Sequence, residues 1–408
     1  MADTLVSVDL SKPAREQGNA VHNRWHPEIP PVASVNPGDV VRVECKDWTD
    51  GWIKNDDSAN DVRDLPLSLV HILSGPIAVN GAEPGDLLVV DLLDIGAFRD
   101  YEWGYTGIFA RMNGGSFLVD AFPDPRKAIW DFEGIYAKSR HLQGVRFPGI
   151  VHPGQIGTAP DEALLRRWNE REAALIQTQP DRVPPLAQPP NPENAVVGTL
   201  TGADADRVAE EAARTVPPRE NCGNHDIKNL SRGARAYFVV FVPGANLSMG
   251  DIHFSQGDGE ITFCGAVEMP GWIDLGVDLI KDGVNKYGLT NSVVVPSPVE
   301  PHFGPTRYLL FEGISVDRQG NQHYVDASVS YADACMKAIN YLSQFGYTEE
   351  QAYIILSCAP CEGRISAIVD IPSACCTLAL PIDAFEFDIT PNGRGPASED
   401  RGRLAMPS

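Results

Sequence analysis

The sequence lacks the usual features of membrane and nucleic-acid-binding proteins. No apolar run approaches the roughly 20 residues that a membrane helix needs, and residues 1–5 do not open a basic segment followed by an apolar stretch. Basic residues are scarce, with 33 Lys and Arg against 55 Asp and Glu, giving a net charge of −22. Such a surface repels phosphates and anionic lipids. We therefore expect a cytoplasmic protein that binds neither nucleic acid nor membranes and favours neutral or cationic ligands over anions.

Cysteine pairs with metal-binding or redox spacing are also few. The eight cysteines are scattered along the chain. Cys358 and Cys361 are three apart, but no second pair completes a zinc ribbon and no thioredoxin-like unit surrounds them. In a reducing compartment we expect mostly free and buried thiols. A single cysteine nucleophile remains an open alternative, because such a thiol needs only a nearby base.

Residues that favour turns and short strands are frequent, with 37 Gly and 33 Pro. Apolar stretches at 40–44 and 87–91 each follow a Pro-Gly-Asp turn, which predicts strands. Thr348 and Gln351 have the spacing of a capping box and predict the start of a helix. The pattern therefore predicts a mainly β protein with peripheral helices. Further strands are predicted at 237–242, 251–255 and 260–268, and helices at 161–168 (capped by Asp161), 205–214 and 330–344.

Changes in amino-acid composition divide the sequence into three segments. We expect an N-terminal β domain at 1–160, a helical and proline-rich arm at 161–222, and a β domain with C-terminal helices at 223–408. These parts are also compatible with one intertwined unit. The proline-rich stretch 184–190 cannot form a helix or a central strand. An arm of this kind often wraps a neighbouring subunit, and an ordinary surface excursion is an equally good interpretation.

The densest polar cluster lies at 250–264. Asp258-Gly259 is a strong hairpin-turn signal, and a loop of two or four residues places alternate polar side chains on one face of the hairpin. Carboxylates and an imidazole on one face are suitable zinc ligands and general acids or bases. A three-residue loop would break this parity, and a hydrogen-bonded turn around a core histidine is the alternative. The polar face would carry Asp251, His253, Ser255, Glu260, Thr262 and Cys264, with Glu268 continuing it.

A second polar segment precedes the cluster. If residues 224–228 are extended, Asn224, Asp226 and Lys228 point in one direction. The functional interpretation is that they supply ligands or orienting groups to the hairpin. The alternative is a structural ion pair between the lysine and an aspartate.

Several stretches together match a known family pattern: residues 21–27, 55–58, 73–77, 81–86, 152–154, 215–220, 223–226 and, above all, 250–260. They resemble the acetamidase/formamidase family, particularly its long bacterial formamidases, and the similarity spans nearly the whole chain. The resemblance implies a mainly β architecture of sandwich and barrel-like parts, a homo-oligomer, and hydrolysis of short aliphatic amides. The segment 221–225 departs from the family pattern at Cys222 and His225, beside the expected site.

With this resemblance, we expect a divalent metal, zinc foremost, that polarises the amide carbonyl or activates water. The rivals are a cysteine amidase that uses Cys264 or Cys358, and a non-catalytic protein that binds small amides. The expected metal ligands are Asp226, Asp251 and His253; the expected catalytic residues are Glu260 as the base, His253 and Asp258; the expected substrate-binding residues are Asn224, Gln256 and Glu268.

Overall fold

The computed structural model describes residues 2–178, 190–298 and 307–408. It is mainly β, which confirms the predicted fold class. Strands are numbered along the chain. The first sheet contains, in spatial order, β1 (Asp3–Val6), β5 (Val40–Cys45), β19 (Gly271–Ile280), β7 (Leu87–Ala97), β16 (Arg235–Val239) and β20 (Val293–Val295).

A larger, branched sheet carries the polar segments singled out in the sequence. Its branch consists of β6 (Leu73–Val79), which pairs with β17 (Leu247–His253), β2 (Val21–His22) and β4 (Ala33–Val35). Its main path runs through β11 (Leu142–Pro148), β10 (Tyr136–Ser139), β9 (Arg126–Glu133), β8 (Trp103–Ile108), β18 (Phe263–Met269), β17 (Leu247–His253), β12 (His152–Gly157), β15 (Cys222–Asn224) and β14 (Pro218–Arg219).

Two small sheets and six α-helices complete the described chain. The sheets are β13 (Ala213–Arg214) with β3 (Arg24–Trp25), and β21 (Tyr308–Ile314), β23 (Cys375–Pro381) and β22 (Glu362–Ala367) in that order. The helices are α1 (Asn60–Asp64), α2 (Glu162–Thr178), α3 (Gly202–Glu211), α4 (Gly283–Tyr287), α5 (Ala327–Ser343) and α6 (Glu349–Cys358). Within the described ranges, none of these helices has the length and apolar character needed to cross a bilayer.

Strands from the two ends of the sequence alternate in both large sheets. In the first sheet β19 lies between β5 and β7, and in the second β12 lies between β17 and β15. One continuous hydrophobic core joins apolar side chains from both sheets with those of α5 and α6. Both large sheets therefore combine strands from before residue 160 with strands from after residue 223, and the two β segments share one hydrophobic core.

The predicted local elements are largely present. Asp161 caps α2 by accepting a hydrogen bond from the Leu164 amide at 2.7 Å. Thr348 and Gln351 form both hydrogen bonds of the predicted capping box at α6. The short helix α3 begins and ends three residues before its predicted bounds. The proline-rich residues 184–189 lie outside the described ranges.

The predicted tight hairpin at Asp258-Gly259 is wrong. β17 and β18 are antiparallel, but His253 pairs with Glu268 and Ile252 with Met269, so a long connection separates them. We call residues 254–262 the site loop. Two of its amides bond outside the hairpin: Gly257 donates to the Ser357 carbonyl at 2.7 Å and Asp258 to the Cys361 carbonyl at 3.1 Å. The end of α6 thus holds the site loop away from the sheet, a partner that local turn chemistry could not reveal.

Candidate active site

A cavity of about 470 Å³ opens where β15, β17, β18 and the site loop meet. Its lining contains both acidic and apolar side chains. The acidic residues are Asp226, Asp251, Glu260 and Glu268, which the predicted hairpin and the preceding segment supply. The apolar residues are Trp48, Val70, Phe109, Val216, Pro217, Pro218 and Phe263.

The imidazole of His253 lies at the centre of the acidic groups. Its Nε2 is 3.1 Å from Glu268 Oε2 and 3.4 Å from Asp251 Oδ1, and all three side chains are buried. The Nε2 and the glutamate oxygen are close but do not have hydrogen-bond geometry. Pairing of β17 with β18 places His253 opposite Glu268, which is why the two side chains meet.

Two sets of three potential ligand atoms share His253. Asp226, Asp251 and His253 have ligand atoms within 4.8 Å of one another, as do His253, Glu260 and Glu268. Among the described residues, three of these buried atoms have no hydrogen-bond partner: Asp226 Oδ1, His253 Nε2 and Glu268 Oε2. Unpaired buried polar atoms are costly. Within each set the potential ligand atoms lie close enough together for a divalent cation such as zinc to satisfy them.

Gln256 fixes the orientation of the central imidazole. Its amide nitrogen donates to the Asp226 carbonyl at 2.7 Å, so its oxygen must face the other way. That oxygen accepts a hydrogen bond from His253 Nδ1 at 2.9 Å. Nδ1 is thereby occupied, and Nε2 is the nitrogen directed at the carboxylates. Gln256 acts on the histidine and on the Asp226 backbone, in addition to lining the cavity.

The close packing of β12 against the site requires a glycine. A Cβ at Gly154 would lie 2.6 Å from His253 Cε1 and 2.8 Å from Asp251 Oδ2. Gly154 also accepts a hydrogen bond from the Asp226 amide at 3.2 Å through its carbonyl. The motif His152-Pro153-Gly154 therefore places main-chain atoms close to His253 and Asp251, and its hydrogen bond holds the Asp226 segment beside them.

Burial and mutual repulsion shift the protonation of the carboxyl groups. Burial, followed by the charge of Glu260, raises the pKa of Asp226 well above its ordinary value. Burial likewise raises the pKa of Glu260 and, strongly, that of Glu268. Asp251 behaves differently, because His253 and His71 outweigh its burial and lower its pKa. The site therefore contains carboxyl groups with opposite shifts, as acid–base sites do.

The pKa of His253 is set by two opposing effects. Burial alone would lower it, but the charges of Glu268 and Asp251 outweigh burial and raise the pKa well above its ordinary value.

Two predicted site residues, Asn224 and Asp258, lie in different surroundings. Asn224 lines the cavity; its Nδ2 donates to the Val216 carbonyl at 3.0 Å, while its Oδ1 is buried without a hydrogen-bond partner among the described residues. Asp258, in contrast, lines a neighbouring cavity. Its carboxylate pairs with Lys228 and accepts from the Gly363 amide at 2.9 Å. The predicted common direction of residues 224–228 fails because Asp226 has a positive φ of 48°.

Trp48 and His71 are among the cavity residues that no sequence pattern had indicated. The His71 ring packs against the Trp48 ring with centroids 4.7 Å apart, and its Nε2 lies 4.0 Å from Asp251 Oδ2. The sequence feature that could have indicated His71 is its position within the otherwise aliphatic run 69–73. Both residues are distant in sequence from the hairpin: Trp48 follows β5 of the first sheet, and His71 precedes β6 of the second.

The cysteines named as alternative nucleophiles are poorly placed. Cys264 is buried among Trp48, Tyr105 and Phe109 and is absent from the described cavity lining. Burial, with the charges of Glu268 and Glu260, raises its thiol pKa well above the ordinary value. Cys358 is fully buried, and burial raises its thiol pKa as well. Neither environment favours a thiolate.

The segment that departs from the family pattern forms a thiol–imidazole contact at the cavity wall. His225 lines the cavity, and its Nδ1 lies 2.9 Å from the Cys222 sulfur. Burial raises the pKa of Cys222 to about 12 and lowers that of His225. The pair therefore remains neutral near pH 7, with the imidazole beside the acidic centre.

The chain that forms this buried acid–imidazole centre is similar to known proteins along most of its length. A model of the acetamidase/formamidase family matches residues 7–387. A formamidase of Methylophilus methylotrophus is 59% identical over 96% of each chain. An acetamidase of Mycolicibacterium smegmatis is 57% identical over 90% of this chain and 92% of its own. The chain belongs to the acetamidase/formamidase family, as the resemblance implied.

Solved structures agree with this assignment. The chain superposes on a γ-lactamase from Delftia acidovorans with a TM-score of 0.96 and 55% identity, covering 100% of both chains. An acetamidase from Bacillus halodurans gives a TM-score of 0.51 at 22% identity, covering 90% of this chain and 96% of its own. At that identity the second match shows a shared fold alone.

Proposed function

We propose that this protein hydrolyses short linear amides, formamide foremost, to a carboxylate and ammonia. The observation that carries the proposal is that Asp226, Asp251 and Glu260 line one cavity and each shares a set of closely spaced potential ligand atoms with His253. Family membership and relatives described as a formamidase and an acetamidase support this substrate class. A small neutral substrate also suits a cavity whose acidic side chains would repel anions.

We also propose that the centre holds a divalent cation, zinc foremost, through Asp226, Asp251 and His253. The support is the fit of the donor set: two carboxylates and an imidazole within 4.8 Å of one another, with buried atoms of Asp226 and His253 unpaired. Such an ion would polarise the amide carbonyl or lower the pKa of water. Gln256 would hold the His253 ring so that Nε2 faces the ion.

Glu260 is the proposed base. The Gly265 amide donates to its Oε1 at 2.9 Å, which fixes the carboxylate and leaves Oε2 for a water molecule. The water oxygen forms a bond to the carbonyl carbon while its proton moves to Glu260. The carbon–nitrogen bond then breaks, and Glu260 returns the proton to the departing nitrogen, which leaves as ammonia. Asn224, which lines the same cavity, is the proposed group that orients the amide.

The size of the cavity favours a second substrate class. Its volume is that of roughly 15 water molecules, several times what formamide would fill. The apolar side chains would accommodate a larger acyl group or a ring. The relative from Delftia acidovorans is described as a γ-lactamase. We therefore propose γ-lactams as additional substrates, with the same attack on the carbonyl carbon and opening of the ring.

The direct test is ammonia release from formamide, acetamide, propionamide and urea, together with ring opening of a γ-lactam. We expect release from the short amides, loss of activity after chelation, and recovery with zinc. Glu260→Gln should reduce kcat by about 10²–10⁴-fold, whereas the exposed control Glu312→Gln should not. Activity that resists chelators but is lost with thiol reagents would favour a cysteine amidase. Amide binding without ammonia release would favour a binding protein.

The assembly and compartment are further proposals. We propose a homo-oligomer in the cytoplasm, supported by the family resemblance and the acidic surface charge. Sedimentation velocity of the purified full chain gives the subunit number. Fractionation of cells that express the chain without added tags gives the compartment.

A further inference from the structure

The proposed base, Glu260, begins a tight turn that ends at Phe263. The Phe263 amide donates to the Glu260 carbonyl at 2.9 Å and closes the turn. Both end residues have positive φ angles, 42° at Glu260 and 72° at Phe263. Residues with a Cβ rarely adopt this left-handed conformation, because it brings the Cβ too close to the following carbonyl oxygen. The turn is therefore strained at both ends and persists only because neighbouring structure holds it.

One face of α6 provides that support. Tyr353 and Ser357 are four residues apart and lie on the same side of the helix. The Tyr353 hydroxyl donates to the Ile261 carbonyl. The Ser357 hydroxyl oxygen accepts from the Thr262 amide at 3.1 Å and from the Thr262 hydroxyl at 3.0 Å. Both central residues of the turn are thus bonded to α6.

These contacts are buried and have little freedom to move. Tyr353, Ser357 and Thr262 are fully buried. The Tyr353 ring stacks on Phe122 with centroids 4.7 Å apart, and its hydroxyl also accepts from the Leu118 amide at 3.0 Å. Hydrogen bonds from which water is excluded are stronger than exposed ones. The anchoring face of α6 is therefore itself held in place by the core.

The position of the turn decides where the Glu260 carboxylate lies. Its Oε1 accepts from the Gly265 amide at 2.9 Å, in the strand β18 that follows the turn. Neither Tyr353 nor Ser357 belongs to the described cavity lining, so both act on Glu260 through the backbone of the turn. A general base must lie within hydrogen-bond reach of the proton it removes. A displacement of about 1 Å can lower the rate by about 10²-fold.

We propose that Tyr353 and Ser357 are positioning residues, which hold the strained turn so that the Glu260 carboxylate stays within reach of the attacking water. This inference rests on the proposed function, in which Glu260 is the base. It gives one face of a helix outside the cavity a role in catalysis. The proposed metal ligands lie outside the turn, so loss of either hydroxyl should leave zinc affinity unchanged.

The test compares Tyr353→Phe and Ser357→Ala in the full-length protein, each alone and combined with Glu260→Gln. Each single change should lower kcat for formamide by about 10–100-fold, with KM and zinc affinity within about threefold of the wild-type values. In the Glu260→Gln background, each should lower kcat by less than about threefold more, because a residue that acts only through the base has no effect once the base is gone.

Tyr347→Phe and Ser330→Ala are the matched controls. The Tyr347 hydroxyl donates to the Gln143 carbonyl at 2.8 Å, and the Ser330 hydroxyl oxygen accepts from the Cys376 amide at 2.8 Å. Each control therefore removes the same kind of buried hydrogen bond outside the turn and outside the described cavity lining. Both should keep wild-type kcat while losing as much stability in urea unfolding as the test variants.

Three results would overturn the positioning role: test variants with wild-type kcat, losses of kcat no larger than those of the controls, or losses that persist undiminished in the Glu260→Gln background. Wild-type kcat in Glu260→Gln alone would reject the base, and the positioning role with it. A wild-type protein that releases no ammonia from any amide would instead reject the proposed function as a whole.

Discussion

His253 lies directly opposite Glu268 in the antiparallel pair β17–β18, with 3.1 Å between Nε2 and Oε2. This contact depends on the strand register, because a shift of one residue in either strand would place His253 or Glu268 on the opposite face of the sheet. The site loop then returns Glu260 to the same point. The acidic centre is thus built from one strand pair and one loop, and the segment at Asp226 closes it.

The first prediction concerns the carboxamide that orients the central histidine. Gln256→Leu removes the acceptor for His253 Nδ1 and the donor to the Asp226 carbonyl. Metal affinity should fall by about 10–100-fold, as when a group that orients a ligand is lost. Calorimetric zinc titration measures it. Gln344→Leu, on the exposed end of α5, is the control, and equal affinities in the two variants would contradict the role of Gln256.

The second prediction concerns Gly154, whose backbone lies beside the side chains of His253 and Asp251. Gly154→Ala places a Cβ 2.6 Å from His253 Cε1, so the imidazole or β12 must move. A displacement near 1 Å lowers catalysis by about 10²-fold, and kcat for formamide should fall accordingly. Gly393→Ala is the control, because its Cβ would meet no atom within 4 Å. An active Gly154→Ala enzyme would mean that the site does not require this close approach.

The third prediction separates two roles for Asp258. Its carboxylate pairs with Lys228 and accepts from the Gly363 amide, outside the acidic centre. If it only anchors the site loop, Asp258→Ala should lower stability by about 1 kcal/mol, since the carboxylate is partly solvent-exposed, and lower kcat by less than about tenfold. Chemical denaturation and steady-state kinetics measure both. A loss of kcat as large as that of Glu260→Gln would restore the direct catalytic role predicted from the sequence.

The fourth prediction is a pH dependence of stability. His22 is buried, and burial lowers its pKa to about 4 from the ordinary 6.5. On acidification the unfolded chain gains this proton first, so stability falls as the pH falls from 6.5 towards 4. His22→Gln should reduce that slope by about 1.4 kcal/mol per pH unit. Urea unfolding at several pH values measures it, and parallel curves for both proteins would exclude the effect.

The sequence by itself determined the features that depend on near neighbours in the chain. The Pro-Gly-Asp turns predicted the strands that follow them, because proline and glycine restrict local backbone angles. The Thr348–Gln351 spacing predicted the cap of α6, since both hydrogen bonds lie within one helical turn. The polar residues at 251–268 were also recognised in this way, as was the mainly β class.

Only the tertiary structure decided how those residues meet. Asp258-Gly259 has the composition of a tight hairpin, but the end of α6 binds the site-loop backbone and opens the turn. Asp258 consequently faces Lys228, and Glu268 takes the place opposite His253. Trp48 and His71 reach the cavity from remote segments. The physical reason is that cavity walls and strand register depend on contacts between distant residues, and local preferences are too weak to fix them.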